Sequence, residues 1–121
     1  MLQVPCYGTL LTEHGGGAAE NASLLDNSVA VAEKLAGMLE HYAFDGWLVN
    51  IEAPLPGGVA DHGRLVGFLG KLRLACRSRC AMAKVIIYDS LDARGHVEYL
   101  FLEHLYSIMV NHRSFCGSLL Y

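Results

Sequence analysis

With 121 residues, 53% of them hydrophobic and 17% charged, and a net charge of −3, the chain holds one domain's worth of material and can bury a core. That composition excludes disorder, and the absence of a basic stripe argues against nucleic-acid binding. Every apolar run is interrupted well short of the roughly 18 residues a membrane span needs, and MLQVPCYGTLL at the start lacks the positive flank of a signal peptide. That fits a cytoplasmic chain without membrane association, or one whose true N-terminus is missing.

In chain order, VPCYGTLL (Val4–Leu11) reads as a strand and TEHGGGAAEN as a Gly-rich loop. A phosphate cradle is not expected in HGGGAAEN, because no Lys-Ser/Thr follows the glycines. Asp26 or Asn27 can cap a helix whose apolar positions, Val29, Ala32, Leu35, Ala36 and Leu39, recur at helical spacing. DGWLVNIE (Asp45–Glu52) is a second strand, and APLPGGVADHG after it is a loop whose Pro and Gly oppose regular structure. RLVGFLGKLRLACRSRCA reads as a helix in spite of Gly67 and Gly70, and AKVIIYDS as a third strand, apolar enough to be covered on both faces. HVEYLFLEHLYSIMVNH is a further helix, and SFCGSLLY a fourth strand.

This alternation predicts an α/β fold with about four parallel strands and three helices. Cys6, Cys76, Cys80 and Cys116 lack the paired spacing of a zinc site and read as buried free thiols. No metal set or cofactor is expected, and His104 and His112 read as surface residues. Trp47, Val49 and Ile51 share one face of the second strand, and Leu48, Asn50 and Glu52 the other. The first set suits packing against helices. The second places an amide and a carboxyl about 6–7 Å apart at Cα, at the carboxyl end where α/β proteins gather their chemistry.

FDGWLVNIE resembles the D-G-W-L-x-N-x-E catalytic strand of glycoside hydrolase family 85, the endo-β-N-acetylglucosaminidases. YGTLLTE is similar to that family's G-T-x-x-x-E strand ending, IIYDS to its Y-D-S ending, and NHRSFCGSLLY loosely to the stretch entering the next strand. The chain departs from the family at His14, where tryptophan is usual, and at Cys116, where aspartate precedes glycine. The resemblance implies a (β/α)8 barrel, a fold of about 250 residues, so residues 1–121 are expected to form its central part, incomplete at both ends and completed by the remaining barrel segments.

The implied reaction is hydrolysis of the GlcNAc-β-1,4-GlcNAc core of N-linked glycans or glycopeptides, with retention. The sugar's own 2-acetamido oxygen attacks C1 and forms an oxazoline, an exception to the paired-carboxylate scheme. Glu52 is then the general acid and later the base, while Asn50 accepts the acetamide N–H. Tyr88 is placed near the acetamide. Glu13 and Asp89, on neighbouring strand ends, line the substrate site and add negative charge that favours the protonated acid. A chitinase-like family 18 enzyme is a weaker match, because Leu48 and Asn50 replace the two middle aspartates of D-G-x-D-x-D-x-E. A non-catalytic fragment that binds glycans or assembles with a partner is the alternative of a different class.

Overall fold

A computed structural model describes residues 4–13 and 15–88. Its elements are β1 (Tyr7–Thr12), α1 (Gly17–Asp26), α2 (Ser28–Tyr42), β2 (Gly46–Ile51), a 3-10 turn (Gly58–Asp61), α3 (His62–Arg79) and β3 (Lys84–Tyr88). The strands form a parallel sheet in the order β1-β2-β3, with Tyr7 opposite Gly46 and Gly46 opposite Lys84. Parallel neighbours require a crossover between them, supplied here by α1 and α2 for the first pair and by α3 for the second. The result is α/β, as composition and alternation predict. The expected third helix and fourth strand lie outside the described residues.

The core lies between one sheet face and the helices. Trp47 and Val49 of β2 and Val85 of β3 meet Leu35, Ala36 and Leu39 of α2 and Leu65, Phe68, Leu69, Leu72 and Cys76 of α3. The α3 positions recur at intervals of three and four residues, which is the stripe that carries the helix through Gly67 and Gly70. Each glycine costs about 1 kcal/mol relative to alanine, less than the burial of one of the stripe's large side chains returns.

Five local expectations are corrected. The Gly-rich stretch is a loop only as far as Gly16, because α1 starts at Gly17 and buries Asn21, Leu24 and Leu25. Val29 is 62% exposed, since the buried stripe of α2 runs through Ala32, Leu35, Ala36 and Leu39 without it. Asn27 stands at the α2 N-cap but its side chain donates back to Ser23 O of α1 at 2.9 Å, and Asp26 instead pairs with Arg64 at 2.6 Å. β3 alternates between core and exposed positions, with Val85 buried and Ile86 38% exposed, because the described helices cover only one face of the sheet. The loop after β2 also contains the 3-10 turn, against the expectation of no regular structure.

Of the described cysteines, Cys76 is buried, Cys80 half-buried and Cys6 exposed, all as free thiols, so burial holds for Cys76 and fails for Cys6. Cys116 lies outside the described residues. Burial among apolar side chains pushes the Cys76 thiol up to about 11, so it stays protonated and unreactive at neutral pH.

Candidate active site

The strand that carries the candidate site is anchored at its amino end. Asp45 N donates to Cys6 O at 2.7 Å, Cys6 N donates to Asp45 Oδ2 at 2.7 Å, and Lys84 N donates to Asp45 O at 3.1 Å. One residue thus ties the starts of all three strands together. Gly46 follows because a Cβ there would collide with the Lys84 carbonyl of β3. Trp47 turns into the core, 3% exposed, and its Nε1 donates to Leu35 O at 3.1 Å. A buried indole needs such a partner, so its position is fixed by packing and by the bond together.

From that anchor the alternation of β2 sends Val49 to the core and Leu48 and Asn50 to the face that no described helix covers, the helix-free face. Parallel register gives this face rows of aligned residues: Thr9, Leu48 and Ile86, then Leu11, Asn50 and Tyr88. Asn50 Nδ2 donates to Glu52 Oε1 at 2.7 Å, so the carboxyl and the carboxamide are directly joined. Because a carboxylate only accepts, this bond orients the amide with its nitrogen toward Glu52 and its oxygen away. Asn50 Oδ1 is shut off from solvent and meets no donor among the described residues. Such an acceptor costs about 1–3 kcal/mol of lost solvation. It is an unspent hydrogen-bonding position beside an acid, which suits a ligand N–H.

The expected residues gather unevenly. Tyr88 sits opposite Asn50 in the register and is 53% exposed on the same face. Glu13 and Glu52 follow the last paired residues of their strands, Thr12 and Ile51, and both are exposed. Asp89 lies outside the described residues, as does His14. Among the described residues, no group of three or more His, Cys, Asp or Glu is placed to hold a metal ion, and no helix is long and apolar enough to cross a membrane.

Two polar groups escaped the reading of the sequence. Asn21, in the stretch expected to be loop, is 1% exposed and bonds to Thr12 and to the residues after Glu52. Its spacing of three and four residues from Leu24 and Leu25 was the available signal that it lies on a buried helix stripe. Asp61 is 6% exposed and accepts from Gly57 N at 2.7 Å and Arg64 at 3.1 Å, closing the loop that follows β2. These donors hold its carboxyl below the ordinary carboxylate range, the Gly57 amide contributing most.

Comparison with known proteins identifies the family. The chain is 36% identical over 100 residues to cytosolic endo-beta-N-acetylglucosaminidase of Gallus gallus, covering 79% of this chain and 14% of that protein. It is 33% identical over 102 residues to cytosolic endo-beta-N-acetylglucosaminidase 1 of Arabidopsis thaliana, with 79% and 14% covered. It is 32% identical over 96 residues to cytosolic endo-beta-N-acetylglucosaminidase of Homo sapiens, with 76% and 13% covered. The chain thus spans about 14% of the length of the curated relatives it matches. No solved structure matches it. The family model of Glycosyl hydrolase family 85 matches residues 2–102, β1 through β3 and beyond, and the chain belongs to that family.

Proposed function

We propose that this chain carries the catalytic strand of a cytoplasmic endo-β-N-acetylglucosaminidase acting on the GlcNAc-β-1,4-GlcNAc core of N-linked glycans. Residues 1–121 form the central part of a (β/α)8 catalytic domain, and the helix-free sheet face is turned to the barrel interior. Parallel strands in sequence order, helices on one face and polar groups at the carboxyl ends support that placement. The cytoplasmic assignment rests on the relatives' printed names.

The observation that carries the reading is the Asn50–Glu52 pair, joined at 2.7 Å, with Asn50 Oδ1 left as an unpartnered acceptor among the described residues. The substrate's 2-acetamido N–H donates to that oxygen. This orients the acetamide carbonyl toward C1 and stabilises the positive charge growing on nitrogen as the C1–O bond of the oxazoline forms. Glu52 gives its proton to the departing O4 while the C1–O4 bond breaks. In the second half Glu52 takes a proton from water, the water oxygen attacks C1, and the oxazoline ring opens. Two inversions give retention. Tyr88, level with Asn50, and Glu13, beside the Glu52 strand end, line the substrate with Asp89.

The test is release of glycan from a high-mannose glycopeptide by the purified chain, read by mass as the peptide keeping a single GlcNAc. Release that falls by about 10²–10⁴-fold in Glu52→Gln is expected for loss of a general acid–base. No release from a folded preparation, or equal release by Glu52→Gln, contradicts it. A second reading, a non-catalytic chain that binds glycan or assembles with a partner, is favoured by the exposure of Leu11, Ile86 and Tyr88 on the helix-free face. Glycopeptide binding without release distinguishes it.

A further inference from the structure

Glu52 is exposed, yet the residue after it is buried and bonded through its backbone. Ala53 is 3% exposed, and both Glu52 N and Ala53 N donate to Thr12 O, at 2.7 and 3.0 Å. Thr12, 4% exposed, donates from Oγ1 to Asn21 Oδ1 at 2.7 Å. Asn21 Nδ2 returns the chain of bonds to Ala53 O at 3.0 Å and Pro54 O at 3.3 Å. The ring closes through three segments: the end of β1, the buried face of α1, and the residues that follow β2. Gly17 lets α1 come this close, because a Cβ on it would strike the Ala53 Cβ.

A strand that leaves its sheet ordinarily loses the ladder that fixes its backbone. Here the ring extends the constraint past Ile51, the last paired residue, to both sides of Glu52. A buried amide and hydroxyl cost desolvation that apolar side chains of the same volume would avoid. What they add is direction: each bond is satisfied in one arrangement only, and a displacement of about 1 Å at an acid can cost 10²-fold in rate.

We propose that Asn21, acting through Thr12 and Ala53, is a positioning residue for the Glu52 carboxyl, holding it against Asn50 and at the depth where it meets the leaving oxygen. The kinetic part of this inference rests on the proposed role of Glu52; the geometric part does not. Thr12→Val keeps the shape of the side chain and removes the hydroxyl, Thr12→Ser keeps the hydroxyl, and Asn21→Leu removes the amide. Turnover of the glycopeptide and hydrogen exchange at the Glu52 and Ala53 amides are measured in each.

Thr12→Val and Asn21→Leu are expected to lower kcat by about 10–100-fold with KM within about twofold. Exchange at Glu52 and Ala53 is expected to quicken while amides of α2 and α3 keep their protection, and Thr12→Ser restores both readouts. Unchanged kcat and exchange in Thr12→Val overturn the proposal, as does exchange quickened equally throughout α2 and α3. If Asn21→Leu does not fold, the Thr12→Val and Thr12→Ser pair decides. A wild-type chain that releases no glycan, but whose Glu52 and Ala53 amides still respond to Thr12→Val, supports the clamp and overturns the hydrolase reading instead.

Discussion

At the amino end of β2, Asp45 exchanges bonds with Cys6 and receives one from Lys84, and Trp47 finds Leu35 O. At the carboxyl end, Asn50 spends its donor on Glu52 and leaves Oδ1 buried without a partner among the described residues. Both ends belong to one strand of six residues under the same pleat. The difference teaches where stability and chemistry part company: the saturated end ties the strand starts together, and the unsaturated end leaves one acceptor which, on the proposed function, receives a ligand N–H. Buried polar groups are ordinarily paired, so an orphaned acceptor beside an acid is informative in a way that the well-bonded aspartate is not.

The comparison breaks most visibly if the saturated end proves dispensable. Trp47→Ala removes a buried indole and leaves a cavity against α2, which should cost about 3–5 kcal/mol in denaturant unfolding. A loss under about 1 kcal/mol would mean that this end does not anchor the fold. Asn50→Leu should move activity and stability in opposite directions. Glycan release falls about 10²-fold, the scale of one preorganised hydrogen-bonding group, while the unfolding midpoint stays level or rises, because an unpaired buried oxygen is gone. Lower stability with unchanged release would reverse the assignment of the two ends.

A smaller effect sharpens the contrast further. Asp45→Ala strands the Cys6 amide at an exposed position and should cost about 1 kcal/mol, with kcat unchanged, as measured by paired unfolding and turnover assays. A last effect, confined to alkaline pH, comes from the core behind Trp47. In the unfolded chain Cys76 titrates near its model-compound value of 9.0, and in the fold near about 11. Above the lower value the unfolded chain gives up its proton first, so stability present below pH 9 should decline as pH rises toward about 11. Cys76→Ala should flatten that part of the curve, and an unchanged slope would argue against burial of the thiol.

The parts of the fold that were legible in the sequence are those where a short period decides. The two faces of β2 followed from strict alternation, with Trp47 and Val49 in the core and Leu48 and Asn50 opposite. That Asn50 and Glu52 project to one side followed from their spacing of two, whereas the bond that joins them did not. Asn21 was missed because glycines before it signal a loop by local propensity, whereas α1 forms because Leu24 and Leu25 reach the core. Val29 was misplaced for a related reason. Helical spacing defines a stripe but not its width, and α2 presents to α3 a stripe that excludes its first apolar residue. The exposure of Ile86 could not be read from β3 itself, since a run of apolar residues looks the same whether one face or two are covered. Polar contacts across segments, such as Thr12–Asn21–Ala53, have no one-dimensional signature at all.

The most direct test is a crystal structure of the Glu52→Gln protein with a high-mannose glycopeptide bound, in which one distance is read. An acetamide nitrogen of the core sugar within about 2.7–3.2 Å of Asn50 Oδ1 is the predicted result. A bound glycan whose acetamide lies elsewhere, with Asn50 Oδ1 still unpartnered or filled by another protein group, would contradict it.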